Sequence, residues 1–326
     1  MQDQQPTSIL DIRGLVIESY FSDSDIMGLK HPEDPEKLIN RAEFGVPIFI
    51  NKYLQPCIDL VGAPRYIIAV ADGGNDFRKN ILPEYKAKRG ADQHPLVKEQ
   101  IQSCYRMCIE VIKALGTPIV YLDRQEADDV IAYLCGTLQG HKIIHTVDRD
   151  LLALCSEEVS VFRGGAIEDV FRDKKEDIPV PLITVYKSMV GDASDGYKGI
   201  DRVGPAAYKS MLQEFGEDGM LQLSSLLDKR DRVTLNKVAQ NTENKAFHKC
   251  YADVINWFNQ FTVAKLHPEL CNPDNLTWTQ RPPMPDALEH ALVTAECPDF
   301  YEDLKKWTYE KTLVVEDNLE DVVKKS

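Results

Sequence analysis

The chain has 326 residues, 43% of them hydrophobic and 28% charged, the balance of an ordinary globular protein with material for one large domain or two modest ones. No apolar run approaches the roughly 20 residues that a bilayer crossing needs, and MQDQQPTSIL lacks the pattern of a secretory leader, so the expected setting is the cytoplasm with no membrane partner. The net charge of −14 excludes a uniformly basic surface but not a local one, because where charges cluster matters more than their sum.

In chain order, three short β-branched runs end at an acid: SILD at Asp11, YIIAVAD at Asp72 and KIIHTVD at Asp148. Between them lie segments of helical character. The clearest is EADDVIAYLCG, with Ala127, Val130, Ile131 and Leu134 at helical spacing and Gly136 near its end. Strands alternating with helices predict an α/β fold with a largely parallel central sheet flanked by helices. Ligands gather at the carboxyl ends of such strands, where these acids fall.

Taken singly, the acidic pieces read as helix starts. Glu126, Asp128 and Asp129 complement a helix dipole, while Asp148 as an N-cap and Asp150 in a first turn are each worth about 0.5–1 kcal/mol. Geometry adds a condition: Glu126 and Asp128 lie roughly 200° apart on a regular helix and converge only at its N-terminal turn. His145, in an apparent strand, reads as structural.

The stretch 73–98 is basic, with Arg78, Lys79, Lys86, Lys88, Arg89 and Lys98 around Tyr85. Alone, it reads as a solvated helix surface. Residues 182–190 have helical character and lead into GDASDGYKGIDRVGPAAYKSMLQEF, whose glycines at 191, 196, 199 and 204 predict helix, loop, hairpin, helix. Asp192 and Asp195 stand one helical turn apart at the mouth of that loop. From about 217 the chain reads as mainly helical, with Trp257, Trp278 and Trp307 as packing anchors, QRPPMPD as a loop and a mobile tail after about 310. The organisation expected is a core over 1–180, a hairpin element over 181–216 and a helical region over 217–326. The eight cysteines form no C-x-x-C pair and read as reduced core thiols, Cys104 and Cys108 sharing one helix face.

Asp11, VADGGNDFR, PEYKAKR, EADDVIAYL, TVDRDLLAL and GDASDGYKGIDRVGPAAY, in that order over residues 8–215, closely resemble the structure-specific 5′-nuclease superfamily. Its members are the flap endonucleases, the 5′-nuclease domains of bacterial DNA polymerases and the bacteriophage 5′→3′ exonucleases, and by its length this chain looks most like the last. The resemblance implies a PIN-like core with a helical arch around 73–98 and a helix-hairpin-helix element. It implies a metal-dependent 5′→3′ exonuclease or flap endonuclease, in phage-type replication or primer removal, working in bacterial or phage-infected cytosol. Two divalent ions, Mg2+ or Mn2+, would be held by Asp11, Asp72, Glu126, Asp128, Asp129, Asp148, Asp150, Asp192 and Asp195. The first four lie nearer one metal and Asp148, Asp150, Asp192 and Asp195 nearer the other, with Asp128 or Asp148 shared.

By the same resemblance, Lys86 and Arg89 join Asp128 and Asp148 as catalytic groups and meet phosphates, Tyr85 stacks on a base, and Arg78 positions the arch or the DNA. Gly199, Arg202, Gly204 and Lys209 meet the duplex beside a K+ ion at the hairpin. Here the chain departs from the commoner pattern, which has glycine in place of Arg202 and lysine in place of Ala206. The implied partners are DNA with 5′ ends, flaps or nicks, RNA–DNA hybrids and replication proteins. The alternatives are an inactive DNA-binding protein of the same fold, which has no use for carboxylates that repel phosphate, and a metal-dependent phosphatase, which has no use for YKAKR or the hairpin.

Overall fold

A computed structural model of the chain describes residues 6–22, 41–89, 91, 93–163, 165–168, 172–173 and 177–308. The tail expected to be mobile lies outside them. The strands are β1 (Thr7–Asp11), β2 (Ile67–Val70), β3 (Ile119–Tyr121), β4 (Lys142–His145), β5 (Val159–Arg163), β6 (Ala166–Glu168), β7 (Arg172–Asp173), β8 (Ile178–Pro179) and β9 (Thr277–Thr279). Seven of them form one sheet in the order β6-β5-β4-β1-β2-β3-β9, and β7 and β8 form a separate ribbon.

The five central strands pair in parallel, and the edges β6 and β9 run antiparallel. Helices cover both faces, so the central strands are continuous apolar runs rather than alternating ones. Successive residues still divide between two cores. Ile9, Ile68, Val70 and Ile144 belong to a core shared with the helix Ala127–Thr137 that extends to Phe247 and Trp257. Leu10, Ile67, Ala69 and Ile119 pack with residues of the helices Ile12–Phe21 and Pro95–Ala114, including Cys104 and Cys108.

The helix Ile183–Val190 leads into a loop and then the helix Pro205–Asp228, which breaks at Gly216 (φ 67°). The helices Arg232–Asn241, Lys245–Ala252 and Val254–Ala264 follow. The last lies against Ile183–Val190, with Trp257 fully buried and its indole N–H donated to Ser188 Oγ at 3.2 Å. Strand β9, carrying Trp278, interrupts the region that reads as mainly helical, because three residues are too few to show a period. No described helix is long and apolar enough to cross a membrane.

Candidate metal centre

Asp11 ends β1, Asp72 lies two residues beyond β2 and Asp148 three beyond β4, so three parallel strands deliver carboxylates to the same edge of the sheet. The glycines of VADGGND keep Asp72 close to the next element. A side chain at Gly73 would fall 1.8 Å from the Leu122 carbonyl oxygen, and this close approach lets Gly73 donate its N–H to the Gln125 carbonyl at 2.9 Å and accept the Arg124 N–H at 3.0 Å. Asp72 thereby accepts the Ala127 N–H at 3.0 Å and faces Arg13 at 3.4 Å.

Glu126 is extended (φ −78°, ψ 151°) and precedes the helix, its carboxylate held by Lys86, Arg78 and Tyr85. Glu126 and Asp128 both stand at the helix N-terminus, and the Glu126 charge is felt at Asp128. Thr146, fully buried, joins the strand ends: its hydroxyl donates to Asp11 at 2.7 Å and accepts the Asp148 N–H at 2.9 Å. Asp148 in turn accepts the Asp150 N–H at 2.9 Å. Asp192 and Tyr197 exchange backbone hydrogen bonds, closing the loop that presents Asp195. Carboxylate oxygens of Asp150, Asp192 and Asp195 lie within 4.8 Å of one another.

Two ammonium groups enter this cluster. Lys86 contacts Glu126 and lies 3.7 Å from Asp195, and its own N–H donates to the Asp195 carbonyl at 2.6 Å. The left-handed φ of 52° at Lys86 marks the turn that makes both contacts. Lys187 contacts Asp150 and, at 2.6 Å, Asp192.

Burial, with repulsion from Asp72 and Asp148, raises the Asp11 carboxyl to about 7 despite its hydrogen bond from Thr146. Asp128 is pushed well above the usual carboxylate range by burial and by Asp148 and Asp11. Burial and Asp148 lift Asp150 to about 6, while burial raises Asp195 against the pull of Lys86. Asp192 goes the other way: against its burial, Lys187 and Ser194 hold it at about 2. Asp148 repels Asp11, Asp128 and Asp150 alike and so links the two halves of the cluster.

Four expected roles need correction. Asp129 has no exposure, and its two oxygens accept hydrogen bonds from Arg78 at 2.7 and 2.8 Å and from the His267 N–H at 2.8 Å, which leaves it no free face for a metal. Arg78 is 3% exposed and also binds Glu126 and the carbonyls of Val263 and Lys265, so its donors are all used within the fold and, of its two expected roles, the contact to DNA falls away. Tyr85 is packed with Leu82, Tyr197 and Val263, its hydroxyl donating to Glu126 at 2.9 Å, and cannot stack on a base. Gly199 (φ 69°) is buried against Met189 and Gly191, and its N–H points at Gln260 Oε1 at 3.3 Å rather than at a phosphate.

Of the remaining predicted DNA contacts, Lys86 is held among the carboxylates with its side chain 10% exposed, and the others are accessible. Arg89, Arg202 and Lys209 are exposed, and Gly204 precedes the helix Pro205–Asp228 with its backbone partly open. Arg202 holds φ 56° where a glycine would be unstrained, at a cost of roughly 1–2 kcal/mol. A cleft between residues 198–204 and the side chains of Asp253 and Asn256 opens beside it. Four participants carried no sequence signal: Thr146, Arg13, Gln260 and Lys187, the last looking like an ordinary basic residue at a helix end.

The donors are carboxylate oxygens without thiolate or imidazole, and two ammoniums already act as counter-ions among them. That set fits a hard divalent cation such as Mg2+ or Mn2+. Residues 8–179, more than half of the chain, match the model of the 5′-3′ exonuclease N-terminal resolvase-like domain. The chain belongs to this family. It is 35% identical over 160 residues to a 5′-3′ exonuclease of Aquifex aeolicus, covering 47% of this chain and 54% of that protein. It is 28% identical over 200 residues to a 5′-3′ exonuclease of Bacillus subtilis, covering 57% of this chain and 66% of that protein. The chain thus spans between half and two thirds of these relatives. In fold it is similar to the T5 5′-exonuclease solved with divalent metal ions, at a TM-score of 0.59 and 19% identity over 93% of this chain and 99% of that one. It is also similar to human GEN1 solved with Holliday junction DNA, at a TM-score of 0.54 and 15% identity over 93% of this chain and 71% of that one.

Proposed function

We propose that the chain is a metal-dependent 5′-nuclease that hydrolyses phosphodiester bonds of DNA at 5′ ends, nicks or flaps. The observation that carries this reading is the meeting of Asp11, Asp128, Asp148, Asp150, Asp192 and Asp195, from separate segments, at the carboxyl edge of a parallel sheet beside Lys86 and Arg89. Family membership supports the same reading. Two bound divalent cations would neutralise the phosphate and supply a hydroxide-like nucleophile.

The protein's own part is to place charge. Asp148, between the two acidic groups, and Asp128 hold the centre in register through the Thr146 bridge and the helix start. Lys86 and the exposed Arg89 present cations to the phosphates at the open side of the cluster. Arg202, Gly204 and Lys209 meet duplex phosphates without reading sequence, and residues 217–308 brace the hairpin through Gln260 and Trp257. RNA in an RNA–DNA hybrid offers the same phosphates and belongs to the substrate range tested.

End-labelled duplex, nicked, flapped and hybrid substrates, incubated with Mg2+ and with products sized, test the proposal. Cleavage that starts at 5′ ends or junctions and stops on chelation is expected. Hydrolysis of phosphate monoesters alone, or DNA binding with no cleavage, would refute it.

A further inference from the structure

Lys187 stands where a cation belongs. Its ammonium touches Asp150 and lies 2.6 Å from Asp192, and these two carboxylates with that of Asp195 form the set of oxygens within 4.8 Å of one another. A group in contact with both carboxylates fills the space in which a metal ion would bind both. The other half of the cluster is different: among the described residues, no ion pair reaches Asp11, Asp128 or Asp148. Among the described residues, Lys187 balances one half by direct contact, whereas in the other half the cations in contact sit on Asp72 and Glu126 and not on Asp11, Asp128 or Asp148.

We propose that Lys187 is a built-in competitor for the divalent ion of the Asp150, Asp192 and Asp195 group, neutralising it in the metal-free protein and withdrawing when metal binds there. This rests on reading the cluster as a divalent-metal centre. Lys187 is suited to the task because its ammonium rides a flexible four-carbon stem in the last turn of the helix Ile183–Val190, five residues before Asp192. The two cations exclude each other, so metal affinity falls by the fraction of molecules in which the ammonium is in place. The metals therefore load in order, first at Asp11, Asp128 and Asp148, then at the group that Lys187 must leave. Without the ammonium, Asp150, Asp192 and Asp195 repel one another and loosen the metal-free loop.

Calorimetric titration of the full chain with Mn2+, with bound Mn2+ counted by electron paramagnetic resonance, tests this in wild type, Lys187→Met and Lys187→Arg. Lys187→Met is expected to leave the tighter site unchanged and to strengthen the weaker one about tenfold, within the range usual for coupled sites. Its melting temperature should fall in chelator and recover in Mn2+, whereas Lys187→Arg should keep the weak second site. One ion in wild type and two in Lys187→Met would support the proposal equally. Two ions in wild type with an unchanged or weaker second site in Lys187→Met overturn it and leave the nuclease reading intact, as does one ion in both. No Mn2+ bound by wild type overturns both. Lys187→Gln, which keeps hydrogen bonds without charge, gives the same comparison if Lys187→Met does not fold.

Discussion

The Arg78 guanidinium grips both oxygens of Asp129, at 2.7 and 2.8 Å, with both side chains buried. The same guanidinium contacts Glu126 at 3.0 Å and two carbonyls at the end of the helix Val254–Ala264. Arg78 thus ties the helix Asp76–Ile81, the acidic helix Ala127–Thr137 and the C-terminal region together.

Arg78→Met should destabilise the fold by about 3–5 kcal/mol, because it strands a buried carboxylate. Chemical denaturation reads the loss, and adding Asp129→Leu should recover part of it. Unchanged stability with lost metal binding in Asp129→Asn would instead return Asp129 to the ligand set.

The metal-free protein should become more stable as pH falls from 8 to 6. Asp11, raised by burial to about 7, keeps its proton in the folded chain between its unfolded value of 3.8 and about 7, where the unfolded chain has lost it, so folding gains as pH falls through that window. Asp150, at about 6, adds the same sign lower in the window. His145, buried and lowered to about 3, opposes them below its unfolded 6.5. Melting in chelator should therefore show a smaller pH 6 gain in Asp11→Asn than in wild type; equal gains would refute the assignment.

Tyr85→Phe separates two roles. A ring stacked on a base would tolerate the change fully, whereas the hydroxyl observed on Glu126 predicts a several-fold drop in turnover with little change in stability. Steady-state cleavage of a flapped duplex gives the answer.

Gln260 accepts the buried Gly199 N–H and passes a hydrogen bond to Asn256 at 3.1 Å. Gln260→Leu leaves that N–H unpaired, at roughly 1–3 kcal/mol. KM for duplex substrates should rise while kcat holds; a fall in kcat alone would place Gln260 elsewhere in the mechanism.

The fold was legible because β-branched runs and helical spacing alternate along the core, and strand ends announced themselves with acids. Ordered acidic blocks also pointed to the cluster, although each block alone was an ordinary helix start. What escaped were relationships between distant residues. Asp129 looks identical to its neighbour Asp128, and only the position of Arg78, 51 residues earlier, decides that one carboxylate is structural. Tyr85 lies in a basic stretch that reads as exposed, yet its ring is enclosed by Tyr197 and Val263. Lys187 meets Asp150, 37 residues earlier, and Asp192, in a loop where Gly191 and Gly199 pack closely.

Single-turnover cleavage of a 5′-end-labelled flapped duplex with saturating Mg2+ decides whether these carboxylates form a divalent-metal nuclease centre. Wild type is compared with Asp148→Asn after circular dichroism has shown both to be folded. Asp148→Asn should cleave about a thousandfold more slowly, a loss of ~4 kcal/mol in transition-state stabilisation, and wild type should stop on chelation. Cleavage by folded Asp148→Asn at the wild-type rate would contradict the account.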